Sequence, residues 1–161
     1  VLRHDLKPTH DIFLVELHSE TSVKEVCELV HPNAGLLLFP LAGAAKGVNS
    51  SGTLYVNLND ENLRKAKLRR DVTTVTFGSG LHKKADYLIT YEDADDNGTQ
   101  LTVQHSKYRE RHTVEFKTHL KGKEAINLLL GAIAVAMEMG VTAEQINKVL
   151  YDYKPEQLLE N

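Results

Sequence analysis

A chain of 161 residues with 42% apolar and 25% charged side chains holds enough hydrophobic material for one packed core and is not disordered. A formal net charge of −3, from 19 basic and 22 acidic residues, gives no electrostatic case for nucleic acid. The single cysteine, Cys27, excludes an internal disulfide and points to a reducing, cytoplasmic compartment, and no apolar run reaches the ~20 residues of a membrane-spanning helix.

Asp11-Ile-Phe-Leu-Val-Glu-Leu17 is a near-continuous apolar run, the pattern of a strand buried on both faces of a parallel sheet. Ser22 and Glu25 have capping-box spacing, and Val23, Val26, Cys27 and Val30 follow at helical spacing until Pro32 stops the helix. Cys27 falls on the apolar side, as a small core residue. Gly35 to Phe39 reads as a second buried strand, joined to the first by a right-handed crossover. Pro40 to Gly52 is rich in Gly, Ala, Ser and Asn and reads as a loop.

Thr53 to Asn57 is a third strand, Asn59 or Asp60 can cap a short helix over 61–68, and the β-branched run Val72 to Phe77 is a fourth strand. The cluster Arg64, Lys65, Lys67, Arg69 and Arg70 reads as a solvated face of that short helix. Asp86 to Glu92, Thr99 to Gln104 and His112 to Lys117 then alternate polar and apolar residues, with a turn at Asp95-Asp-Asn-Gly98. These form a small antiparallel sheet with one solvated face. His105, His112 and His119 recur every seven residues, a spacing that does not put three on one face of alternating strands. Gly122 leads into a helix from Ala125 to Met139 that is apolar nearly all round, as in a buried helix, and Gly140 ends it. Thr142-Ala-Glu-Gln145 opens a last helix, closed by Pro155.

Alternating helices and strands predict an α/β fold: a mostly parallel, doubly wound sheet with flanking helices plus a small antiparallel sheet. The expected organisation is one unit over 1–161, with a parallel α/β half at 1–80, the antiparallel sheet at 84–118 and two helices at 121–155.

This order resembles the central, ATP-binding domain of the Mur ligases, and among them most the ligase that adds D-alanyl-D-alanine. Four stretches carry the resemblance: His10 to Leu17, Ala44-Ala-Lys46-Gly47, Val56-Asn-Leu-Asn-Asp60, and the Gly122-to-Gly140 helix. The resemblance implies an ATP-dependent amide ligase of peptidoglycan precursor synthesis, using ATP and Mg2+. It makes Glu16 and Lys46 metal-holding residues and Asn57 and Asp60 cofactor-binding residues. It also implies a nucleotide or UDP-linked cell-wall precursor as ligand; charge and the lack of a long apolar run leave nucleic acid and membrane out as partners.

The chain departs from the family in specific places. A Gly-x-x-x-x-Gly-Lys-Ser/Thr phosphate loop does not occur; Gly47-Val-Asn-Ser-Ser-Gly52-Thr53 has the glycine spacing but no lysine, and leads into a strand, as a turn would. The loop from Phe39 to Lys46 holds no histidine. Where the family places adenine-side residues on the long helix, Glu124, Ala125 and Leu128 stand here; Asn127 is one place early, a rotation of ~100°. Without the phosphate cradle the chain is expected not to act alone. It is either a fragment, completed by missing N- and C-terminal domains or a protein partner, or an inactive relative. The alternative is a non-catalytic binding or interaction domain on the same fold.

Overall fold

Short runs of β-branched and aromatic residues build the centre of the molecule, a computed structural model that describes residue 16 and residues 20–40, 44–80, 84–107 and 110–154. Strands β1 (Ala34–Leu37), β2 (Thr53–Asn57) and β3 (Thr73–Ser79) pair in parallel. The first residues of β4 (Tyr87–Asp95) continue the parallel set against β3, with Phe77 opposite Tyr87. On its other side β4 runs antiparallel to β5 (Gly98–Lys107), which runs antiparallel to β6 (Glu110–Thr118). The α/β class and the antiparallel part are as expected. The antiparallel strands are not a separate sheet, however: the order is β1-β2-β3-β4-β5-β6 in one six-stranded sheet. β4 serves both halves, with a register shift between Ile89 and Tyr91 where its pairing changes residue.

Helices cover both faces. α1 (Glu20–Val30) packs on α2 (Ala44–Gly47), and α2 and α3 (Glu61–Lys65) belong to the β1–β2 and β2–β3 crossovers. Beneath them lies a core of Leu37, Val48, Leu54, Val56, Leu63 and Val72. On the other face α4 (Lys123–Glu138) crosses β2 to β4, and α5 (Ala143–Asp152) lies against β6. The larger core there includes Tyr55, Phe77, Leu101, Val103, Phe116, Leu130 and Ile133. Strand alternation sends Leu54 and Val56 to one core and Tyr55 between them to the other.

Several local expectations change. The strand expected over 11–17 lies outside the described residues except for Glu16. Ser22 is inside α1 rather than at its cap, because the helix already includes Glu20. The loop after β1 contains the single helical turn of α2. α3 stops at Lys65, so Lys67, Arg69 and Arg70 lie beyond it. α4 is not buried all round: Ile126, Leu130, Ile133 and Ala134 face the sheet, while Leu128 is 50% exposed. The capping box of α5 is present on Thr142 and Gln145, and Asp95 closes the β4–β5 turn by accepting from Asn97 N and Gly98 N at 2.7 and 3.1 Å.

Candidate functional site

Parallel strands end on the same edge of a sheet, and here that edge carries a row of amides. Asn57, last in β2 and buried at 4% exposure, donates from Nδ2 to the Leu38 carbonyl just past β1 (3.0 Å). Its Oδ1 accepts from Asn59 N (3.0 Å). Asn59 Oδ1 in turn accepts from the backbone N–H of Ser79 at the end of β3 (3.0 Å), and Asn59 Nδ2 donates to Asn127 Oδ1 on α4. The row thus ties β1, β2, β3 and the first half of α4 together. Asp60, the next residue along, is the N-cap of α3: its carboxylate accepts from Leu63 N at 2.9 Å. Arg64 closes the turn by donating to the Leu58 carbonyl at 2.9 Å.

Of the four residues named from the sequence, the structure brings Asn57 and Asp60 into this one turn. Lys46 lies on α2 with its side chain exposed, and among the described residues no hydrogen bond or ion pair joins it to them. Glu16 is exposed, and its flanking residues lie outside the described ones. Asn59 and Asn127 are the residues that reading the sequence underrated. Asn59 figured only as a helix cap, and Asn127 as a residue displaced around its helix.

A magnesium ion needs convergent hard oxygen donors. Among the described residues no group of three or more His, Cys, Asp or Glu side chains is placed to hold a metal ion. The Asp60 carboxylate is engaged as a cap, and every buried side-chain nitrogen or oxygen among the described residues has a partner. The described residues therefore do not by themselves fit a magnesium cradle, and no chemical step is assigned to one. The Gly47-to-Gly52 segment behaves as a turn: Gly52 N donates to the Asn49 carbonyl (2.9 Å), Ser51 is left-handed at φ 68°, and β2 follows at once.

The basic cluster is not simply a solvated face. Arg69 Nη1 donates to the carbonyls of Lys46 (2.9 Å) and Val48 (2.7 Å), and its Nε to Asp71 Oδ1 (2.9 Å). That bond from Arg69 pulls the Asp71 carboxyl down to about 2. Two of the three spaced histidines do share a face: His105 and His112 stand directly opposite on β5 and β6 with ring centroids 5.2 Å apart. His119 instead turns its Nδ1 to the Asn97 carbonyl at 3.0 Å, and so donates through it. Tyr87, behind His105, donates its hydroxyl to Glu138 at 2.7 Å; burial first, then that carboxylate, raises the phenol far above its ordinary range. An apolar groove of about 490 Å³ runs between α4 and α5, lined by residues such as Ile133, Met139, Val141 and Val149, and none of the amide row reaches it.

No family sequence model matches the chain, and no curated protein matches it by sequence. Solved structures do match. The UDP-N-acetylmuramoylalanyl-D-glutamyl-2,6-diaminopimelate–D-alanyl-D-alanyl ligase of Acinetobacter baumannii superposes at TM-score 0.65 and 15% identity, over 82% of this chain and 31% of that one. The MurF ligase of Thermotoga maritima, solved in complex with ADP, superposes at TM-score 0.58 and 14% identity, over 78% of this chain and 31% of that one. The murein peptide ligase mpl of Psychrobacter arcticus superposes at 0.54 and 17% identity, over 74% of this chain and 27% of that one. The chain spans under a third of each ligase's length. At these identities the likeness speaks for architecture alone, and the architecture is that of a Mur ligase domain.

Proposed function

We propose that this chain is the nucleotide-side core of a Mur-type acid–amino-acid ligase, and that it does not turn over by itself. What supports the reading is the place of its amide row. Asn57, Asn59 and Asn127 meet at the carboxyl ends of β1 to β3, the edge where open α/β sheets take ligands. The fold likeness is to ligase chains, one of them solved with ADP. On this reading the ligand is a nucleotide or a UDP-linked cell-wall precursor. ATP supplies acyl activation, and its phosphate cradle comes from further sequence or a partner chain. Glu16 and Lys46 would help this chain hold the nucleotide's metal ion, while turnover would wait for the completed assembly.

A second reading, a binding or interaction domain without turnover, is favoured by one observation. Asn57, Asn59 and Asp60 already direct side-chain groups to one another, to Asn127 and to nearby backbone. Phosphoryl transfer needs charge-stabilising groups held ready for the transition state, and groups engaged in this way are not ready. Calorimetric titration with ATP and Mg2+ at near-physiological salt separates the two. Micromolar binding that is lost in Glu16→Ala supports the ligase core. No heat at millimolar ATP supports the interaction domain.

A further inference from the structure

β6 is the outer strand of the described sheet, and α5 shows which of its backbone groups face outward. Asn147 on α5 accepts from Lys117 N (3.2 Å) and donates to the Glu115 carbonyl (2.8 Å), standing in for a neighbouring strand. Because N–H and C=O groups alternate sides along an antiparallel strand, the odd-numbered residues of β6 turn theirs away from β5. At Arg111 and Thr113 no group among the described residues takes the place that Asn147 takes further along. Such an edge is a template for another strand.

The side chains specify which strand. Arg111, Thr113 and Glu115 are exposed on one face, with opposite charges at equal spacing on either side of Thr113. An antiparallel copy of the same segment centred on Thr113 sets each Arg111 opposite the other copy's Glu115, and two-fold symmetry makes the match twice. Each Thr113 N–H then meets the other copy's Thr113 carbonyl. Each Glu115 N–H meets the other copy's Arg111 carbonyl, so the Glu115 carbonyl held by Asn147 is not required. One step further, the Lys117 N–H is already engaged by Asn147. The pairing therefore stops at 111–115.

We propose that the β6 edge from Arg111 to Glu115 joins the same edge of a second copy of this chain, antiparallel and centred on Thr113. The contact is short, so the dimer is transient and forms at high concentration. It does not depend on the ligase reading.

Sedimentation equilibrium of the full chain from about 10 to 500 μM tests it. The expected result is a reversible monomer–dimer equilibrium. Arg111→Glu or Glu115→Arg alone puts like charges opposite twice and weakens association about tenfold. The double swap, Arg111→Glu with Glu115→Arg, restores it. Thr113→Pro, which removes the central outward N–H, abolishes it while the circular dichroism stays unchanged. A chain that is monomeric throughout, association indifferent to the single swaps, or a double swap that fails to restore it overturns the proposal.

Discussion

Arg69 gathers the carbonyls of Lys46 and Val48 at the end of α2, and Asp71 holds the guanidinium in place. The pair is exposed enough that its direct contribution is modest, but it ties the α2 turn to the segment entering β3. The sign of its pH dependence follows from the Asp71 carboxyl, which Arg69 lowers from 3.8 to about 2. A depressed carboxyl stabilises the fold above its unfolded value and loses that contribution as pH falls toward its folded value. The contribution is thus complete at neutral pH and disappears between about pH 4 and pH 2. In Asp71→Asn, urea midpoints should fall at pH 7 and converge with the wild type at pH 2. A variant equally destabilised at both would assign the loss to packing. Little of this scale is legible in sequence. Arg69 reads as one of five basic residues in a run, and nothing in the run distinguishes the one that bonds carbonyls 21 and 23 positions upstream. Asn59 and Asn127 fail for the same reason: their bond spans 68 positions, and no periodicity encodes it.

Elements were legible where a local signal was long or doubled. β2 matches the strand expected over Thr53 to Asn57 residue for residue, and Thr142 with Gln145 caps α5 because both halves of the box are satisfied at a true helix start. Ser22 and Glu25 have the same spacing, yet the helix extends past them, since the box signature also fits a helix interior. α2, at four residues, has no period to read. Its position is set by packing instead. A Cβ added at Gly47 would lie 2.2 Å from Cys27 Sγ and 2.5 Å from Cys27 Cβ, so α1 and α2 approach at a point that admits only glycine. Gly47→Ala should destabilise the chain by about 1–3 kcal/mol through overpacking, seen as a lower urea midpoint. Full stability in that variant would mean the two helices can separate freely.

At the scale of the molecule, alternation of strands and helices foretold the α/β class, and alternation within 86–117 foretold antiparallel pairing. Neither pattern says whether two sheets join. β4 decides it, because its first residues pair in parallel with β3 while the rest pairs with β5. One core then runs under both halves: Phe77 on β3 and Phe116 on β6 are both fully buried in it, with Leu130 and Ile133 of α4 above. Cutting Phe116 to alanine should cost about 3–5 kcal/mol, since the cavity opens in a close-packed layer. If the antiparallel strands were an appendage, that loss would appear only in amide exchange of β4 to β6. Because the sheet and its core are continuous, β2 and β3 should lose protection by the same amount, through one cooperative opening. Hydrogen exchange on Phe116→Ala that leaves Leu54 to Val56 fully protected would divide the molecule at β4 and overturn that account.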